Sequence, residues 1–195
     1  MGAFDPIITF EKGTYVETDT GNKVSRKATI LGAQNIVLAG KSIIQTRAIV
    51  RGDLRRNQTG SYVVISMGRY CLLGDGAILR PPGKIYKGAF TFYPVRIMDY
   101  VHIGADCIVE AASIGSCIEI GARSIIGKFA VIKDCARILP DSVVADGTVI
   151  PSLTVWGGNP AKLVSTLPET YQETIEEKCK SYYRNFRAAE PERRR

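Results

Sequence analysis

A six-residue repeat runs through most of the chain and limits the folds that it can adopt. From residue 114 onward, eight consecutive hexads each begin with an apolar residue, and the fifth place of each hexad is mostly small: the first places are Ile114, Ile120, Ile126, Ile132, Ile138, Val144, Ile150 and Trp156. Upstream the pattern returns in blocks of three, at Leu38, Ile44 and Val50, at Met67, Leu73 and Leu79, and at Ile97, Ile103 and Val109. A period of six matches neither the 3.6-residue turn of an α-helix nor the two-residue alternation of a plain strand.

The period of six predicts an all-β solenoid, a parallel β-helix of hexapeptide repeats. In such a solenoid each hexad forms one short strand and one corner, and three hexads complete a triangular coil. The first residue of each hexad fills the interior, and stacked coils satisfy one another's backbone hydrogen bonds. Trp156, in the last hexad, is expected to close one end of the prism.

The domain organisation follows from where the repeat is interrupted and where it ends. We expect the β-helix to occupy residues 1–165, with loops at 55–66 and 80–96. The stretch Thr166–Glu169 has the form of a capping box, and the apolar periodicity after it predicts a C-terminal α-helix over 166–187, packed along the solenoid. The basic residues 188–195 are expected to form a flexible tail.

Composition narrows the class of protein. No apolar run of 18 residues is present, so no membrane span or direct membrane insertion is expected, and the chain is expected to be cytoplasmic. The formal charge is +7, but the sequence has no stripe of basic residues interleaved with aromatic ones. Nucleic acid is therefore not an expected partner. Five cysteines without a CxxC spacing indicate reduced thiols rather than a disulfide framework or a zinc site.

The segment AIVRGDL, residues 48–54, is similar to gamma-class carbonic anhydrases, which together with acyltransferases use left-handed hexapeptide solenoids. The resemblance implies a left-handed coil and a metal held by three histidines. In this chain the three corresponding places hold Arg80, Ala105 and Glu110, so no metal, cofactor or catalytic residue is expected. A divergent enzyme that uses His102 and Glu110 stays open as the alternative, although a lone histidine at this place is more typical of a surface or corner.

A longer series of segments resembles the small pointed-end subunits of dynactin, in the twenty-five-kilodalton class. The series is TGNKVSR (20–26), QNIVLAGK (34–41), IVRGDL (49–54), LRPP (79–82), KG with F and YP within 87–94, VIKDC (131–135) and KSYY (180–183). The resemblance implies a non-enzymatic scaffold that supports dynein attachment to membranous cargo such as early endosomes. It also implies association with the cytoskeleton, and as partners a second left-handed β-helix subunit, other pointed-end subunits including the actin-related cap, and cargo adaptors.

The long loop at 80–96 carries the candidate protein-binding residues, which combine aromatic and basic side chains: Lys84, Tyr86, Lys87, Phe90, Phe92 and Tyr93. Exposed aromatic side chains rimmed by charge are typical of interface hot spots. The alternative is that Phe90 and Phe92 fold back onto the coil and only the lysines contact water. Arg51 and Asp53 are expected to form a structural ion pair at a corner, and a role in subunit contact is the alternative.

Overall fold

Three walls of short, mostly parallel strands enclose a narrow interior in the computed structural model, which describes residues 8–55 and 62–189. The first wall contains the strands Thr29–Leu31, Ile49–Arg51, Ile78–Leu79, Ile108–Val109, Ile125–Ile126 and Val143–Val144. The second contains Ile36–Gly40, Ile65–Arg69, Val95–Ile97, Ser113–Ile114, Val131–Ile132 and Val149–Ile150. The third contains Tyr15–Glu17, Lys23–Ser25, Ile43–Ile44, Leu72–Leu73, Val101–Ile103, Ile118–Ile120, Arg137–Ile138, Thr154–Gly157 and Lys162–Thr166.

The first residues of the hexads form the interior, as the repeat predicts. In the first wall, Val50, Leu79, Val109, Ile126 and Val144 are each at most 1% exposed. Strand register stacks them directly, since Leu79 pairs with both Val50 and Val109. Trp156 is half-buried against this interior, and its Nε1 donates a hydrogen bond to Thr154 Oγ1 at 3.1 Å.

The corners repeat with the same period and use a left-handed backbone at the fourth place of the hexad. Positive φ angles recur every six residues from Cys117 to Leu153. Most of these residues are not glycine: they include Cys117, Arg123, Phe129, Cys135, Asp141 and Leu153. A residue with a Cβ is disfavoured in this region by about 1–2 kcal/mol, so the corners are held by the hydrogen bonds of stacked coils rather than by local preference.

The α-helix spans Tyr171–Asn185 and runs along the third wall back toward the N-terminal coil. Its buried face consists of Tyr171, Ile175 and Cys179, spaced four residues apart. Lys178 Nζ donates to Glu119 Oε1 of the wall at 2.7 Å. The helix therefore covers a sheet face that would otherwise expose apolar side chains.

The predicted start of the helix at Thr166 is wrong. Residues 162–166 form the last strand of the third wall, pairing antiparallel with Thr154–Gly157, so Thr166 of the predicted capping box lies in a strand and Glu169 lies in the turn before the helix. The N-cap is Thr170, whose side chain makes no capping hydrogen bond. At the other end the helix stops at Asn185, because Phe186–Ala188 forms a parallel strand pair with Ile8–Phe10. That strand includes the first residue of the predicted tail, and residues 190–195 lie outside the described residues.

Lys23 fastens the helix to the N-terminal coil. Its side chain is buried, with Nζ 2.5 Å from Phe186 O and 4.3 Å from the centre of the Tyr183 ring. A cation is favourable next to the carbonyl groups that a helix leaves unpaired at its C-terminus. Burial lowers the pKa of the Lys23 ammonium, and Glu17 opposes that lowering.

The two predicted loops have more regular structure than the sequence indicated. Residues 80–96 include an antiparallel hairpin, Gly83–Tyr86 with Ala89–Phe92, and the start of the second-wall strand Val95–Ile97. In the 55–66 segment, Ile65 and Ser66 belong to the strand Ile65–Arg69, and residues 56–61 lie outside the described residues. Earlier in the chain, a short 3-10 helix at Ala33–Asn35 precedes the second-wall strand Ile36–Gly40, and the buried Asn35 Nδ2 donates to Gly52 O at 2.8 Å.

Candidate protein-binding surface

The hairpin projects from the corner between the first and second walls. Its strands pair Lys84 with Thr91 and Ile85 with Phe90, and the tip residues Lys87 and Gly88 both have positive φ. A two-residue turn with both φ values positive matches the twist of a tight hairpin. Because side chains alternate along each strand, Ile85 and Phe90 share one face and Lys84 and Thr91 share the other.

The face that carries Lys84 and Thr91 turns toward the prism. Thr91 is 9% exposed, and Lys84 Nζ lies 5.2 Å from the centre of the Tyr93 ring and 5.0 Å from that of Phe129. The Tyr93 and Phe129 rings contact edge to face with centroids 5.5 Å apart. These cation–π and aromatic contacts anchor an element that, as an isolated two-stranded hairpin, would be marginally stable.

The opposite face of the hairpin is apolar and exposed. Ile85 is 73% exposed and Phe90 is 60% exposed. Phe90 packs edge to face on the half-buried Phe92 and lies across Gly83, where a Cβ would come within 2.6 Å of the Phe90 ring. The hairpin thus holds a cross-strand apolar pair in solvent on a rigid base.

The sequence-predicted binding residues are divided between the two faces. Phe90 is on the exposed apolar face with Phe92 beside it, while Lys84 and Tyr93 contribute to the anchor. Tyr86 is 44% exposed, with Lys87 Nζ 5.5 Å from the centre of its ring at the tip. The sequence reasoning omitted Ile85, the most exposed large apolar side chain on this hairpin. The two-residue alternation that brings Gly83, Ile85, Phe90 and Phe92 to one face was the signal that could have identified it.

An ion pair joins two of the three places to which the resemblance to gamma-class carbonic anhydrases assigns metal ligands. Arg80 Nε lies 3.0 Å from Glu110 Oε1, and Ala105 supplies no ligand atom. Among residues 8–55 and 62–189, no three His, Cys, Asp or Glu side chains are grouped so that they could hold a metal ion. The expected ion pair of Arg51 and Asp53 is also present, with Arg51 Nε 2.8 Å from Asp53 Oδ1.

His102 is buried, so the expectation of a surface or corner histidine is wrong. It lies in a strand of the third wall, 8% exposed beneath the helix, with its ring 5.2 Å from the Tyr182 ring. Burial lowers the pKa of the imidazole to about 4, and Lys178 adds to that lowering while Glu119 opposes it. The neutral imidazole fills space under the helix and lies away from Glu110, which pairs with Arg80. His102 and Glu110 therefore do not form the shared site that the alternative enzyme hypothesis requires.

No helix within the described part of the chain is long and apolar enough to cross a membrane.

Solved structures similar to this chain share its fold. The N-acyltransferase AntD from Bacillus cereus aligns with a TM-score of 0.62 at 18% identity, over 82% of this chain and 88% of that chain. A hexapeptide transferase family protein from Anaplasma phagocytophilum aligns with a TM-score of 0.59 at 20% identity, over 85% and 90%. The expected left-handed parallel β-helix with a C-terminal helix is therefore confirmed.

The relatives found by sequence include a carbonic anhydrase and a dynactin subunit. Gamma carbonic anhydrase 2, a mitochondrial protein of Arabidopsis thaliana, is 25% identical over 173 residues, which span 89% of this chain but 57% of that protein. Dynactin subunit 5 of Dictyostelium discoideum is 36% identical over 177 residues, which span 91% of this chain and 85% of that protein.

Fold and site together define a left-handed hexapeptide-repeat β-helix in which an ion pair joins two of the three places that the resemblance assigns to metal ligands. A family model for dynactin subunit 5 matches residues 6–190. The chain belongs to the dynactin subunit 5 family. This membership confirms the expectation that the chain is not an enzyme.

Proposed function

We propose that the chain is a non-catalytic scaffold subunit at the pointed end of dynactin, and that its hairpin binds cargo adaptors. In this role it supports the attachment of dynein to membranous cargo such as early endosomes. The proposal places the chain in the cytoplasm with the cytoskeleton. Its neighbours would be a second left-handed β-helix subunit and other pointed-end subunits, including the actin-related cap.

The observation that carries the adaptor-binding role is the exposed pair of Ile85 and Phe90. Clustered aromatic and aliphatic side chains at the centre of a patch provide most of the free energy of binding at protein interfaces. The anchor beneath the hairpin supports this role, because a pre-ordered surface loses little conformational entropy on binding. Lys87 at the tip adds a basic side chain beside the patch.

The test separates assembly into dynactin from adaptor binding. The double variant Ile85→Ser, Phe90→Ser removes the apolar pair, and Leu163→Ser is the matched control, since Leu163 is 57% exposed on the last strand of the third wall. Each tagged form replaces the native subunit in cells, dynactin is isolated through the tag, and co-purified adaptors and early endosomes are quantified.

We expect the double variant to retain dynactin and to lose adaptors and endosomes by about tenfold or more, while the control keeps both. Adaptor recovery equal to that of the wild type would disprove the role of the hairpin. Failure of the wild-type chain to recover dynactin would disprove the proposed function as a whole.

A further inference from the structure

The sixth residue of each hexad points outward from the middle of a wall, and its chemistry differs among the three walls. On the third wall, two successive residues of this kind, Ile43 and Leu72, are 2% and 8% exposed. On the second wall three consecutive rungs are polar, Ser66, Arg96 and Ser113, paired in register. On the first wall five consecutive rungs are apolar and β-branched: Ile49, Ile78, Ile108, Ile125 and Val143.

The first-wall residues form a continuous apolar column on the outside of the prism. Register places each of them directly beside the next, at the strand spacing of about 4.8 Å. The column remains partly exposed, and Ile125 is 40% exposed. The helix lies on the third wall, so it does not cover this column. Apolar side chains in an uninterrupted row on a solvated face indicate a binding surface.

Charges flank the column on both sides and are already paired. At the corner with the third wall, Arg47 lies 2.7 Å from Asp75 and Arg123 lies 2.6 Å from Asp141. On the other side Arg80 pairs with Glu110. A partner that covers the column therefore leaves none of these charges without its counter-ion, which avoids the main cost of burying charge. Such a rim complements a partner face that is itself apolar and without net charge.

We infer that the first wall docks against a flat wall of a second β-helix, with the two apolar columns side by side. This inference rests on the proposed function, which includes a second β-helix subunit, and it names the face that meets that subunit. The same strand spacing of about 4.8 Å in both solenoids keeps the two columns in register along their length. An α-helix advances about 6 Å every four residues, so its apolar side chains drift out of step with the rungs.

The available area also favours a broad partner. Six strands spaced about 4.8 Å apart span about 24 Å along the prism, and the six residues of one hexad span at most about 20 Å across the wall, so the plane of the first wall is at most roughly 480 Å². A specific interface buries about 800 Å² of accessible surface on each partner. A single helix about 10 Å wide covers only part of this plane. A second wall covers all of it and extends over the hairpin at the adjoining corner.

The test introduces a charge at matched places on two walls of one coil. Ile125→Lys alters the first-wall column, and Val131→Lys alters the outward centre of the second wall. Ile125→Ser is a milder variant in case the lysine form does not fold. Circular dichroism and thermal melting show whether each variant is folded. Each tagged form replaces the native subunit, and both dynactin and its second β-helix subunit are quantified after isolation through the tag.

We expect the Ile125 variants to lose the second β-helix subunit by about tenfold while Val131→Lys keeps it. Wild-type recovery by folded Ile125→Lys would overturn the inference, as would an equal loss for Val131→Lys. If the wild-type chain itself recovers no dynactin, the proposed function fails instead.

A photo-crosslinking amino acid at position 125 then identifies the occupant. An adduct in a β-helix strand of the partner supports the inference, and an adduct in a helical segment overturns it.

Discussion

The first and third walls of the prism are built from the same hexads, yet only the third is covered by the chain itself. On the third wall His102 and Leu72 lie beneath the helix, and each is 8% exposed. On the first wall the equivalent residues Ile108 and Ile125 stay partly exposed. The inward places of the hexad therefore determine the fold, whereas the outward place determines what each wall contacts.

The largest expected effect contrasts two adjacent residues of the first wall. Ile126 points inward and is fully buried, whereas Ile125 points outward. We expect Ile126→Ala to lower the free energy of unfolding by about 3 kcal/mol, because it leaves a cavity in the interior, and Ile125→Ala to lower it by less than about 1 kcal/mol. Urea denaturation of the isolated chain measures both. Equal losses would show that the outward column is part of the core.

The next effect tests how tightly the third wall is covered. The folded-state pKa of His102, about 4, lies below the usual value near 6.5, so between these values the unfolded chain binds a proton that the folded chain does not. Stability associated with His102 is thus complete above pH 6.5 and falls as the pH drops toward 4. From pH 7.5 to 4.5 the wild type should lose about 2–3 kcal/mol more than His102→Gln. Parallel urea denaturation series measure this difference, and identical pH dependence would place His102 in water.

A smaller effect concerns the end of the covering helix. Lys23→Met keeps the bulk of the side chain but removes the donor to Phe186 O, and we expect a loss of about 1–2 kcal/mol. Lys41→Met is the control, since the Lys41 ammonium donates a solvent-exposed hydrogen bond to the Tyr70 hydroxyl at 3.1 Å. Thermal melting compares the two. If both variants melt alike, Lys23 does not fasten the helix.

The smallest effect lies at the corner between the third and first walls. Arg123 and Asp141 pair at 2.6 Å, but both side chains are about 60% exposed. Because solvent screens such a pair, we expect a double-mutant cycle with Arg123→Gln and Asp141→Asn to give no resolvable coupling energy. A clearly resolved coupling energy would mean that the corner ion pairs help to hold the walls together.

The interior of the solenoid was predictable from the sequence because one residue in every six points inward. The isoleucines from Ile114 to Ile138 recur every six residues, and each is buried by the coil above and below. The start of the helix was not predictable from Thr166 to Glu169, since a capping box competes there with strand pairing to Thr154–Gly157. Only the tertiary structure shows that the strand prevails.

The candidate surface was predictable in location but not in composition. An interruption of the repeat at 80–96 located the projecting element, yet the roles of Lys84 and Phe90 depend on which face of the hairpin meets Phe129. Phe129 lies more than 35 residues further along the chain, and no local pattern connects it to Lys84. The burial of His102 likewise depends on Tyr182 of the helix, which is distant in sequence.

Hydroxyl-radical footprinting of the free chain and of the chain within purified dynactin tests most directly that the uncovered first wall is a contact face. The account predicts that oxidation of Ile125 slows several-fold on assembly, while Val149, 51% exposed on the second wall, reacts at the same rate in both forms. An unchanged rate at Ile125 together with protection of Val149 would contradict it.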